Sequence, residues 1–224
     1  MQSLRLADAQ TAADLRTYVT RARKADDGAI RLQASGSILA AYVCVLRPRS
    51  TAERIPTVLG LRTMNLASPA EVDVTVPLAA VADRLARLDD SELELTLPPV
   101  TVHESWAGIG APRGGWVRLC EIGTDTLIQV AKDGVREIAQ MVPINAGSPV
   151  VGNARAAVWG RPIPELGSDP SAAAGVELCA GAAFAAFALG FVVPGSSGAL
   201  FQSGRWLRLS TGAGHILVRS PLLL

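Results

Sequence analysis

At 224 residues the chain is long enough for one large domain or two small ones with a sizeable core. Hydrophobic residues make up 49% and charged residues 18%, which excludes a disordered chain. A net charge of +1 excludes a global field that would draw in nucleic acid or a membrane surface.

The opening residues lack the basic-then-apolar pattern of a signal peptide. Cys44, Cys120 and Cys179 are scattered in apolar settings, which points to unpaired thiols in a reducing compartment, hence the cytoplasm. Lys24 and Lys132 are the only lysines; with heavy Ala, Val and Gly usage this suggests a GC-rich bacterial genome. Residues 1–62 are rich in Arg and residues 63–100 in Asp and Glu, so these segments are expected to lie side by side and neutralise each other.

Residues 3–7 read as a short strand. Thr11 and Asp14 resemble a capping box that opens a helix, with Ala12, Leu15, Val19 and Ala22 inward and Asp26-Asp27-Gly28 as its stop. Ile30, Leu32 and Ala34 alternate with polar residues as a half-buried strand. Ser35-Gly36-Ser37 reads as a tight turn into a central strand over 38–46. A polar loop follows over 47–54, then a strand over 57–66. Ser68-Pro69 is expected to break the chain before an alternating strand over 72–76. Pro77 starts a second amphipathic helix with Leu78, Val81, Leu85 and Leu88 inward, and Leu93, Leu95 and Leu97 mark another strand. The order is thus β-α-β-β-β, then β-α-β. This order of elements resembles the βαβββ unit of sliding-clamp domains, a likeness of topology that carries no function by itself.

The Pro- and Gly-rich stretch over 98–115 reads as a connector or long surface loop. A strand over 116–122 follows. Thr124 is expected to cap a helix reaching Met141, with Leu127, Ala131, Ile138 and Met141 inward. Ser148-Pro149 opens a shorter helix closed by Gly160, with Val150, Ala154 and Val158 inward. Residues 169–193 read as one long buried helix, with Asp169 as N-cap, Pro170 in the first turn and Gly190 as its end. Its Phe184, Phe187 and Phe191 share one face, and Gly181, Ala185 and Ala188 another. Its uncharged run is too short for a membrane span. The chain ends in a β-meander over 199–203, 205–211 and 215–219.

The fold class expected is α+β. An N-terminal β-α-β-β-β-β-α-β half carries a mostly antiparallel sheet. A C-terminal half of three helices is capped by a three-stranded meander. The expected division is 1–100, a connector over 101–115, and 116–224.

Chemistry-bearing motifs are absent. His103 and His215 are the only histidines and the cysteines fall at no ligand spacing, so neither a metal nor a cofactor is expected. The glycines of 108–115 precede a strand and not a helix, which is the wrong context for a phosphate loop. Three helices plus a hairpin match the element order of a winged helix. Its third helix, however, carries Glu177 as its sole charge, so nucleic acid is disfavoured as a partner. One pairing could be catalytic: His215 as a base beside Ser210 or Thr211 across the hairpin. Strand alternation puts Trp206, Arg208, His215 and Arg219 on the outer face of the meander, with Leu207, Leu209, Ile216 and Val218 facing the core. Trp beside Arg is the composition of interface anchors. The function expected is a non-catalytic binding or assembly module with a protein partner or self-association. The alternatives are an enzyme on a small substrate through His215 and a DNA-associated, winged-helix-like protein.

Overall fold

The computed structural model describes residues 2–50, 53–89, 91–164 and 175–221. It is α+β and divides into two compact units, Met1–Cys44 with Leu61–Gly110 and Val45–Gly60 with Ala111–Leu224.

The first unit contains β1 (Ser3–Arg5), α1 (Ala9–Ala25), most of β2 (Ala29–Leu46) and of β3 (Thr57–Pro77), α2 (Leu78–Ala86) and β4 (Glu94–Thr96). Helix α1 starts a turn earlier than the capping-box reading. Its N-cap is Asp8, whose carboxylate accepts from the Thr11 N–H at 2.7 Å, so Thr11 is the capped residue and not the cap. Ala12, Leu15, Val19 and Ala22 are buried as their spacing requires, joined by Tyr18, whose hydroxyl donates to the Ala41 carbonyl at 3.2 Å. From α1, Arg16 Nε donates to the Leu85 carbonyl at the end of α2 (3.0 Å), which also accepts from the Leu88 N–H. Strands β1 and β4 pair antiparallel, with Leu4 opposite Leu95 and both buried.

Two expected breaks are corrected. Strand β2 runs through Ser35-Gly36-Ser37, and β3 runs through Ser68-Pro69. Gly36 takes φ 58 and its N–H donates to Glu71 Oε1 (3.0 Å), so the glycine bends a strand instead of reversing it. Pro69 is exposed, and a proline is tolerated where the ladder does not need its N–H. The charge asymmetry between 1–62 and 63–100 resolves as expected. Arg31 forks onto Asp73 across the two segments (Nη2 to Oδ2 2.6 Å), while Arg62 pairs with Asp14 inside the first. Part of the Pro/Gly-rich stretch is no free loop. Val102 N–H donates to the Thr75 carbonyl (2.9 Å), Arg31 Nη1 to the Ala107 carbonyl (2.8 Å), and Trp106 is buried.

The second unit contains β5 (Val117–Gly123), α3 (Thr124–Met141), α4 (Ser148–Trp159), α5 (Ala180–Ala188), β6 (Ser197–Ser203), β7 (Trp206–Thr211) and β8 (Gly214–Arg219). The meander is present, but it is part of a larger sheet of order β2-β3-β8-β7-β6-β5 in which β5 is an edge. Residues 45–46 of β2 and 57–60 of β3 are counted in this unit. Three helices followed by a three-stranded meander is the expected order of elements.

Thr124 does not cap α3. Gly123 occupies that position, while the Thr124 hydroxyl donates to the Val193 carbonyl at 2.5 Å and its N–H to the Ser196 carbonyl at 2.9 Å. Leu127 and Ala131 are buried; Met141, and Val150 of α4, are exposed instead of inward. The long central helix is also corrected. Helix α5 has nine residues, and residues 175–179 before it are not helical. Pro162 bridges Cys179, and Ile163 N–H donates to the Leu178 carbonyl (2.8 Å), so backbone pairing captures a segment that composition alone assigns to helix. The expected caps Asp169 and Pro170 lie outside the described residues.

The three phenylalanines do not act as one stripe: Phe191 is buried, Phe184 half-buried and Phe187 exposed. Phe184 stacks on Trp159 with ring centroids 4.5 Å apart. Trp159 in turn needs Gly134 of α3, where a Cβ would fall 2.1 Å from the indole. No helix among the described residues is long and apolar enough to cross a membrane.

Candidate functional site

Strand register sets the outer face of the C-terminal sheet. Trp206 lies opposite Arg219, Arg208 opposite Leu217, and Ser210 opposite His215. On the other side of β7, Phe201 lies opposite Arg208 and Ser203 opposite Trp206. Cross-strand partners share a face, so Trp206, Arg208, Ser210, His215 and Arg219 do come together, while Leu207, Leu209, Ile216 and Val218 are buried on the other side. The exposure expected for Trp206 is corrected: it is only 7% exposed, and its neighbour Leu217 only 2%. The sheet buries part of both faces because it has six strands, not the three of the meander alone. The Arg219 guanidinium stands 5.7 Å from the Trp206 ring and donates to the Thr57 hydroxyl at 3.5 Å.

Arg208 is half-buried between two rings. Its Cζ lies 4.6 Å from the centroid of Trp116 and 4.6 Å from that of Phe201. Trp116 is itself held, its Nε1 donating to the Pro112 carbonyl at 3.0 Å. Desolvation draws the Arg208 pKa below its ordinary value, and its Nε is sealed from water without an acceptor. Trp116, as a tryptophan near a Gly-rich turn with arginines close by in sequence, is of the residue type expected at an interface, whereas Phe201 escapes a reading based on residue type. Phe201 could have been found by counting back from the turn at Ser203 and Gly204, since a hairpin fixes which residues face each other.

His215 Nδ1 and Ser210 Oγ are 2.9 Å apart, so this pair forms. Thr211 does not join it; its hydroxyl donates to the Gly214 carbonyl at 3.2 Å. Burial first, and then the Arg208 charge, hold the His215 imidazole below its usual pKa. A histidine base works best with a carboxylate that orients it and stabilises its imidazolium. Here the charged neighbour is Arg208, which does the opposite. The pair is suited to fixing the hairpin more than to moving a proton.

A cavity of about 380 Å³ opens at one end of this sheet. It draws on sequence-distant segments: Pro56, Pro162, Val176, Leu207, Val218 and Pro221 supply apolar lining, with Arg54, Glu177 and Arg205 as its charges. The Cys179 thiol also lines it, and burial pushes its pKa up to about 11, so it is not a nucleophile at neutral pH. Nothing in the sequence marks this cavity, because its walls meet only through the backbone pairing of 161–163 with 178–180 and the end of the meander.

Residues 111–223, just over half of the chain, match the family described as Domain of unknown function (DUF8185). The chain belongs to the DUF8185 family. Residues 1–108 match a second one, Domain of unknown function (DUF8010). No curated protein matches by sequence. By fold, the chain is similar to bacterial sliding clamps. A beta sliding clamp from Caulobacter crescentus superposes with a TM-score of 0.51 at 13% identity, over 100% of this chain and 66% of that one. A DNA polymerase sliding clamp from the same organism gives 0.53 at 11% identity, with the same coverage. A structure described as a DNA polymerase III beta subunit, from Eubacterium rectale, gives 0.53 at 9% identity over 99% of this chain and 65% of that one. The chain therefore spans slightly less than two thirds of these clamps' length. At such identities the likeness is one of fold, and it agrees with the topology read from the order of elements. The disfavouring of nucleic acid as a partner finds no support in a likeness to DNA polymerase clamps.

Proposed function

We propose that this protein is a non-catalytic binding or assembly module of the bacterial cytoplasm, and that it takes a segment of a partner protein, or of a second copy of itself, in the cavity of its C-terminal unit. The observation that carries this reading is the cavity's lining. Prolines, Val176, Leu207 and Val218 form an apolar floor, and Arg54 and Glu177 supply opposite charges to orient what enters. Concave, mainly apolar sites with a few placed polar groups are the usual form of a recognition site. The clamp-like fold supports a module that works by association, and the unpromising chemistry of the His215–Ser210 pair weakens the enzymatic alternative.

The test fills the cavity. Val176, half-exposed in its lining, is replaced in V176W. We expect an unchanged thermal midpoint together with loss of self-association in sedimentation, or of a partner that co-purifies with the unsubstituted protein. If V176W keeps every association of the parent, the cavity is not the site. A short DNA duplex, titrated at physiological salt, decides the remaining alternative: tight, saturable binding would make nucleic acid the ligand.

A further inference from the structure

A second surface of the C-terminal unit carries an inference that does not depend on the cavity. Arg208 is the one arginine of the outer sheet face that, among the described residues, has neither a carboxylate nor a hydrogen-bond acceptor. The carboxylate placed nearest by register, Glu121 on β5, is engaged by Arg118. The guanidinium is nonetheless held in place: two aromatic rings flank it, one fixed by its own hydrogen bond and the other by strand register. A side chain that is immobilised, partly stripped of water and unpaired has already met most of the entropic and desolvation cost of forming a charge-assisted hydrogen bond.

We propose that Arg208 is a receptor for a carboxylate, presented by an acidic side chain on an apolar-flanked segment of a partner protein. With rings over the guanidinium, the N–H groups at its edge remain for a ligand, and an in-plane fork matches a planar carboxylate. A phosphate dianion calls for several cationic donors, and the nearest other arginines on this face are engaged, Arg219 with Thr57 and Trp206, Arg118 with Glu121. The flanking surface offers two half-exposed rings, Trp116 and Phe201. An acidic residue among apolar ones complements this patch.

The experiment uses the full chain and two fluorescein-labelled octapeptides, one alternating leucine and glutamate, the other alternating leucine and glutamine. Anisotropy should show the glutamate peptide binding roughly ten- to a hundredfold more tightly, the range expected of a hydrogen bond to a charged group. In R208M this preference should vanish. In R208K, which keeps the charge but not the fork, it should shrink without vanishing. In the unsubstituted protein, nuclear magnetic resonance should show the Arg208 Nε–H and Trp116 Nε1–H signals shifting with the glutamate peptide alone. That readout stands even if R208M fails to fold. Equal binding of the two peptides overturns the proposal, as does an unshifted Arg208 signal on binding. Displacement of the glutamate peptide by inorganic phosphate at lower concentration than by acetate overturns the choice of carboxylate.

Discussion

The two faces of the C-terminal sheet are built from the same strands yet follow different rules. On the inner face, Leu200, Leu207, Leu209, Ile216 and Val218 are all buried, as apolar side chains packed by volume. On the outer face a buried Trp206 and Leu217 share strands with half-buried Arg208 and His215. The step from packing to availability is thus taken within one strand, over the two residues from Trp206 to Arg208. A face cannot be assigned to core or to function as a whole; each position along it has to be judged by what it touches.

The largest effect should come from Trp206. Because it is buried, Trp206→Ala should lower stability by roughly 3–5 kcal/mol in chemical denaturation. A midpoint unchanged by this substitution would mean that the indole is shielded without being packed, and would return Trp206 to the set of interface anchors. Next comes Leu209→Ala on the inner face, where the side chain is fully buried: a loss of about 2–5 kcal/mol is expected, the spread reflecting how far the cavity can collapse. If that change proved milder than a substitution at exposed Val117, the inner face would not be the core.

The contrast also marks what the sequence made legible. Period-2 alternation assigned Leu207, Leu209, Ile216 and Val218 to the core, and helix spacing did the same for Ala12, Leu15, Val19 and Ala22, because in both cases the pattern is local and redundant. Breaks are expected at Gly36 and Pro69 because both residue types punctuate chains in general, but here Glu71 holds the Gly36 bend within β2, and β3 runs on through Pro69. The long helix over 169–193 failed for a related reason. Alanine favours helix only where nothing competes, and the pairing of 161–163 with 178–180 competes. Of the outer face, the residue set was legible; the burial of Trp206 was not, since it follows from a sheet whose further strands come from residues far away in sequence.

Arg208→Met should have a much smaller effect on stability. The two cation–π contacts are worth about 0.5–1 kcal/mol each, and the unbonded Nε–H costs about 1–3 kcal/mol; these nearly cancel. We expect a change within about 1 kcal/mol by denaturation, against the much larger losses at Trp206 and Leu209. A severe loss would mean that Arg208 is a structural strut, and that the line between packing and availability is drawn in the wrong place.

The smallest effect concerns pH, and it probes the outer face at its far end. His215 is held below its ordinary pKa of about 6.5, by burial and then by the Arg208 charge. The folded state therefore prefers the neutral imidazole, and around and below pH 6.5 the unfolded chain binds more protons at this position. Stability must then fall as pH drops from about 6.5 toward the lower folded-state value, and level off below it, where both states are protonated. His215→Gln should remove this slope while leaving stability at pH 8 little changed, since an amide can still meet the Ser210 hydroxyl that lies 2.9 Å from Nδ1. Denaturation of both proteins between pH 8 and pH 5 checks it. Arg208→Met should flatten the same slope only in part, because the charge is the second cause of the shift and burial the first. A slope that persists undiminished in His215→Gln would place its origin in other titrating groups.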